Sequence, residues 1–150
     1  MRSRILIVAI VALFTGTALA ASEPASDLKS RADAATGGEK TKLCLEYAHR
    51  QLEDANALFN QGEVDKAQAD IRDVVEYSHK AAEAASSSGK HLKQTEIELR
   101  KLSKRTHDVG ESLAFEDRDP VRKAVEEIEQ IRTDLMVRMW GPQAEPKGKS

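Results

Sequence analysis

The chain has 150 residues, 32% of them charged, with 23 Lys and Arg against 25 Asp and Glu for a formal charge of −2. That balance makes the chain a poor candidate for general nucleic-acid binding, which depends on neutralising phosphates, and the length suits one domain with a single modest core. The one cysteine, Cys44, excludes an intramolecular disulfide and a C-x-x-C-H haem attachment.

The first segment reads as a targeting signal. Arg2 and Arg4 precede an apolar run from Ile5 to Phe14, and Ala18-Leu19-Ala20 follows. A basic start, an apolar core too short for a comfortable membrane span and an A-x-A site form the pattern of a signal peptide. The expectation is cleavage after Ala20 and a periplasmic or secreted mature chain. Loss of residues 1–20 removes Arg2, Arg4 and no acid, so the formal charge moves from −2 to −4. Residues 21–40 are small, polar and punctuated by Gly and Pro, which predicts a flexible leader. Residues 41–140 are expected to form a helical domain. Residues 141–150, with two prolines and little that is apolar, are expected to be a disordered tail.

Four amphipathic stretches fill residues 41–140, each with apolar residues at alternating spacings of three and four. The first aligns Leu45, Ala48, Leu52, Ala55 and Phe59. The second aligns Val64, Ala67, Ile71, Val74, Ala81 and Ala85, with Ser78 as its polar member. Leu92, Leu99, Leu102, Val109 and Leu113 mark the third, with Thr95 and Thr106 in the gaps. Val121, Ala124, Ile128, Ile131 and Leu135 mark the fourth. No stretch has the period of two that a strand needs. Gln61-Gly62, Ser86-Ser87-Ser88-Gly89 and Asp117-Arg118-Asp119-Pro120 separate the four, with Asp119 a candidate N-cap and Pro120 the first helical residue. Gly141-Pro142 stops the last. The connections are short, which predicts antiparallel sequential neighbours. The chain is therefore read as all-α: four antiparallel amphipathic helices, in a bundle or as two stacked helical hairpins. Ile71 and Ile128 are expected in the core and Glu76 outside it.

The segment Ala55 to Ile71 resembles the turn region of a tetratricopeptide repeat. Ala55, Gly62 and Ala67 stand at the small-residue, turn-glycine and packing-alanine spacings of that family, and Ile71 at a later apolar position. His79 occupies the place of the repeat-ending proline, and no second copy is visible, whereas such arrays need about three repeats. The resemblance implies a helical hairpin of a kind that elsewhere builds peptide-binding arrays.

A second pattern is an internal echo. Glu46-Tyr47-Ala48-His49-Arg50 is matched by Glu76-Tyr77-Ser78-His79-Lys80. Each copy holds Glu-x-x-His, the spacing that places a carboxylate and an imidazole on one helix face, as in di-iron helical proteins. The helix phases argue against a shared metal. With Leu45 and Ala48 inward, Glu46 and His49 fall on a flank, and with Ile71, Val74 and Ala81 inward, Glu76 points outward. If Phe59 faces Val64, facing residue numbers sum to about 123, which offsets the two histidines by about five residues, roughly 7.5 Å. His79 then lies near Cys44, a pair too small for a zinc or copper site on its own. Cys44 itself reads as a small buried apolar residue.

The third stretch carries Lys90, Lys93, Arg100, Lys101, Lys104 and Arg105 against Glu96 and Glu98. These charges form a solvated face that pairs with acids such as Glu126, Glu127 and Glu129, or a peripheral contact with an anionic envelope surface. Ile97 and Trp140 fall off the main stripes.

No Gly-rich phosphate loop, no G-x-S-x-G and no convincing catalytic set is present. The expected function is that of an exported, non-enzymatic interaction or scaffold protein of the bacterial envelope, with a protein or peptide partner and no cofactor. Its candidate interaction surface is Tyr47, Tyr77, Lys93, Ile97, Arg100, Lys101, Lys104 and Trp140. The alternative is a metal-binding or redox-related envelope protein using Glu46, His49, Glu76, His79 and Cys44.

Overall fold

The computed structural model describes residues 24–141, so the segment expected to be a signal peptide and the expected tail after Gly141 lie outside the described residues. The described chain is all-α. The helices are α1 (Ala25–Ala34), α2 (Gly37–Asn60), α3 (Val64–Ser88), α4 (Leu92–Ser112) and α5 (Arg118–Trp140), with a short 3₁₀ turn at Phe115–Asp117 before α5. No described helix is long and apolar enough to cross a membrane.

The stretches expected from spacing are α2 to α5, and their stripes form the core. Ala48, Leu52 and Ala55 of α2 are buried with Ala67, Ile71, Val74 and Ala81 of α3. Leu99 and Leu102 of α4 join Val121, Ala124, Ile128 and Leu135 of α5. Ser78, Thr95 and Thr106 sit in the same stripes, fully buried, and each hydroxyl donates to the carbonyl four residues back in its own helix. That internal bond removes the cost of burying an unpaired hydroxyl.

The described part of the expected leader, residues 24–40, is not a flexible segment. Within it α1 is a ten-residue helix, and α2 already begins at Gly37. The physical reason is a second, shorter stripe. Ala25, Leu28, Ala32 and Ala35 recur at spacings of three and four, and Leu28 and Ala32 are buried against α2 and α3. Among the described residues the helices therefore number five rather than four. Asp119 is not the N-cap of the last helix and Pro120 is not its first residue: α5 starts at Arg118, two residues earlier than expected, with Asp117 at the N-cap position, and the Asp119 carboxylate instead pairs with Arg122 and Lys123 within the first turn.

Cross-helix pairs fix the directions. Lys29 and Asp33 of α1 meet Asp73 and then Tyr77 and Lys80 of α3, so α1 and α3 run the same way. His49 and Glu53 of α2 meet Glu98 and Arg105 of α4, so these two also run alike. A groove lined by Ile71 and Val75 of α3 with Pro120 and Ala124 of α5, and another lined by Ala82 and Ser86 with Ile131 and Leu135, make α3 and α5 parallel. By direction, α1, α3 and α5 run one way and α2 and α4 the other. The hairpins α2–α3 and α4–α5 stack side by side, and α3 packs more extensively on α5 than on its sequence neighbour α4.

The turns have specific causes. Gly62 (φ +77°) and Gly89 (φ +66°) take left-handed conformations that end α2 and α3. His91, a non-glycine at φ 62°, enters α4 in the same region. A Cβ on Gly38 would stand 3.0 Å from the His91 ring, so the start of α2 and the α3–α4 turn are packed together.

Candidate functional site

The echoed segments meet at their tyrosines. Tyr47 and Tyr77 pack edge to face with ring centroids 4.4 Å apart, which agrees with the facing-number sum expected for an α2–α3 hairpin. Both rings are buried beneath α1, so neither tyrosine belongs to an exposed interaction surface. The Tyr47 hydroxyl donates to Asp73 at 2.8 Å, and the Tyr77 hydroxyl donates to Asp33 at 2.8 and 2.9 Å. Lys29 bridges to Asp73 at 3.0 Å and Lys80 to Asp33 at 2.9 Å, with the Lys80 ammonium 4.1 Å from the Tyr77 ring centre. Burial and the facing Asp73 carboxylate push the Tyr47 phenol up, and burial with Asp33 raises Tyr77 to about 12. Burial of Asp33 works toward a higher value, but Lys80 and the Tyr77 hydroxyl outweigh it and hold the carboxyl below its usual range. Tyr47 and Tyr77 are thus held protonated and Asp33 ionised, each against a matching partner. The cluster fastens α1 onto α2 and α3.

Asp33, Asp73 and Lys29 were not singled out by sequence. The stripe Ala25-Leu28-Ala32-Ala35 is the signal that places Asp33 and Lys29 on a docked helix, one flank away from the buried face.

The Glu-x-x-His residues are dispersed. Glu46 is exposed. His49 Nε2 lies 3.2 Å from Glu98 across the α2–α4 interface, and burial lowers its pKa against the opposing pull of that carboxylate. His79 is exposed with its ring 3.6 Å from Glu83, and Glu76 pairs with Lys80 at 2.8 Å. Cys44 is fully buried, and burial raises its thiol. Among the described residues no three His, Cys, Asp or Glu side chains gather around one point that could hold a metal.

The basic α4 residues divide into two sets. Lys101 pairs with Glu98 and Arg105 with Glu53, on the side facing α2. Lys93, Arg100 and Lys104 are exposed and pair with no acid among the described residues. The expected pairing of α4 cations with Glu126, Glu127 and Glu129 does not occur: Glu129 is taken by Arg132 of its own helix, which also holds Glu96 at 2.9 Å. Ile97 is half-buried, Trp140 is 64% exposed, and Phe115, at the 3₁₀ turn, is 88% exposed.

Open grooves run between helices. The α2–α4 groove, of about 410 Å³, is lined by Leu52, Glu53, Asn56, Arg105, Asp108 and Val109 among others. The hydroxyls of Ser88, Ser112 and Thr133 donate to the main-chain carbonyls of Ala84, Val109 and Glu129, whereas the buried Ser86 hydroxyl, in the groove beside His79 and Glu83, has no hydrogen-bond partner among the described residues. Comparison of the chain with protein-family models, curated proteins and solved structures gave no match.

Proposed function

We propose that this chain is an exported, non-enzymatic helical scaffold that binds a protein or peptide partner in the bacterial envelope. The observation that carries the reading is the α2–α4 groove, whose rim residues Glu53, Asn56, Arg105 and Asp108 are exposed and mixed in charge. Such a surface offers hydrogen bonds to an extended or helical segment without a deep enclosed pocket of the kind enzymes use. The similarity of Ala55–Ile71 to a tetratricopeptide hairpin supports it: Ala55 and Ala67 are fully buried and Gly62 makes the turn. Export rests on the residues before Ala21, and mass spectrometry of envelope protein should find Ala21 at the N-terminus.

The partner test is a site-resolved crosslink. A photo-crosslinking residue at Asn56 or Asp108 should capture one discrete envelope species, and the same residue at exposed Lys42 should not. Equal capture from all three positions would refute the groove as the binding surface. Retention of Met1 on envelope-associated protein would refute cleavage and indicate an uncleaved anchor.

A further inference from the structure

The α4–α5 hairpin packs one face on α2–α3, and no other described helix covers the opposite face. On α4 that face carries Lys93, Arg100 and Lys104, spaced seven and four residues apart over about 16 Å of helix. All three are exposed and without an acidic partner among the described residues. Glu96 and Glu129 share the single guanidinium of Arg132, which leaves that trio one charge negative against the three cations. The ridge is therefore net positive on a chain whose overall charge is negative.

Trp140 belongs to the same face. The Arg132–Glu96 pair sets the antiparallel register of α5 against α4. Eight residues further, about 12 Å along the axis, Trp140 stands level with the α3–α4 turn and beside the start of α4. It lies about 80° around the helix from Arg132, turned away from buried Ile128 and Leu135, with half-buried Met136 between. A largely exposed indole thus sits at one end of a ridge of unpaired cations.

We infer that this face docks on an anionic lipid bilayer, with Trp140 at headgroup level and Lys93, Arg100 and Lys104 against lipid phosphates. Indole rings favour the membrane–water boundary because one part is apolar and the N–H needs a polar partner. Unpaired cations near an anionic surface each add attraction. The acidic remainder of the molecule is repelled by the same surface and orients the ridge toward it. The inference goes beyond the scaffold reading and does not need it: it concerns α4 and α5, whereas the partner groove lies between α2 and α4.

Trp140 is the one tryptophan of the chain, so its emission reports on this face alone. The experiment uses residues 21–150, which contain every described helix and omit the apolar run Ile5–Phe14. The protein is titrated with vesicles of phosphatidylglycerol and phosphatidylcholine, with phosphatidylcholine alone, and with soluble polyphosphate. The expected result is a blue shift and co-sedimentation with the anionic vesicles only, both reversed by salt. The variant Lys93→Gln/Arg100→Gln/Lys104→Gln should weaken binding about 100-fold, at about fivefold per cation. Circular dichroism should be unchanged, since all three sites are exposed. The control Lys42→Gln/Lys66→Gln/Arg72→Gln removes as many exposed cations elsewhere and should bind nearly as the parent. Any of four results overturns the inference: no binding to anionic vesicles, an equal response to phosphatidylcholine or polyphosphate, binding without a Trp140 shift, or equal loss in control and ridge variants.

Discussion

Tyr77 offers a quantitative test of how α1 is held. Its ring is fully buried, packs on Tyr47 at 4.4 Å and lies under the Lys80 ammonium. Its hydroxyl reaches both oxygens of Asp33. Tyr77→Phe keeps the ring and removes only the hydroxyl. The Asp33 side chain is 45% exposed and retains Lys80, so water replaces the lost donor. The cost should be about 1 kcal/mol. Tyr77→Ala removes the ring from a closed site and should cost about 3–5 kcal/mol. At roughly 4 °C per kcal/mol for a fold of this size, melting should fall by about 4 °C and about 12–20 °C respectively. Urea unfolding followed by circular dichroism measures both. Hydrogen exchange supplies the local readout: a ten-residue helix is marginal by itself, so the amides of Ala25–Ala34 should lose protection in Tyr77→Ala before the rest of the chain does. Equal costs for the two variants would show that the hydroxyl bond, not ring packing, governs. Unchanged exchange in α1 would show that this cluster does not fasten it.

Further expectations follow from burial and charge. Ile71→Ala and Ile128→Ala should each cost about 2–4 kcal/mol, because both residues are within 2% of full burial, whereas exposed Glu76→Ala should cost under about 0.5 kcal/mol; comparable losses for all three in urea titrations would refute the α3 and α5 phases. Burial, opposed by Glu98, lowers the His49 pKa below its ordinary 6.5, so the unfolded chain takes up the proton first. The associated stability is present above about pH 6.5 and is lost as pH falls through the folded value. Melting temperatures between pH 7 and 5 should therefore drop less in His49→Gln than in the parent, and an equal drop refutes the assignment. Cys44, fully buried with a raised thiol, should react with a thiol reagent only at the rate of unfolding; fast labelling of native protein would mean that the α2 stripe opens locally.

The parts of the fold legible in the sequence are those where apolar side chains are large or numerous enough to mark a period. Leu52, Ile71, Leu99, Leu102, Ile128 and Leu135 announce their faces, and all are buried. In α1 the stripe is mostly alanine, which scores weakly as apolar, and Pro24 and Gly37-Gly38 flank it closely. Composition there outweighed period, and a docked helix read as a leader. The stacking order was less legible still. Short turns fix which helices are sequential neighbours, but α3 meets α5 more extensively than α4. That choice rests on how α3 residues such as Ala82 and Ser86 meet Ile131 and Leu135 of α5 along a shared groove, a fit between two distant segments that periodicity within one helix does not encode. The basic ridge was visible as composition, yet its division into paired Lys101 and Arg105 and unpaired Lys93, Arg100 and Lys104 required the neighbouring helices.

The echoed Glu-Tyr-x-His segments show how one local pattern supports unlike roles when helix pairing, rather than ligand binding, uses it. In antiparallel helices, two copies of a motif bring together residues whose numbers sum to the hairpin constant, and only one position of each copy can satisfy that sum. Here it is the tyrosine. Once Tyr47 and Tyr77 stack, the other positions diverge to opposite ends of the pair. His49 goes to the α4 side and Glu98, while His79 goes to the surface beside Glu83. The two glutamates remain on the outer faces. The same geometry explains why Asp33 and Asp73 appear beside the stacked rings: two buried phenols need acceptors, and the α1 seat and the outer flank of α3 supply one carboxylate each. The duplication thus serves packing, and the chemistry that a doubled Glu-x-x-His suggests is separated by the pairing that the doubled tyrosine creates.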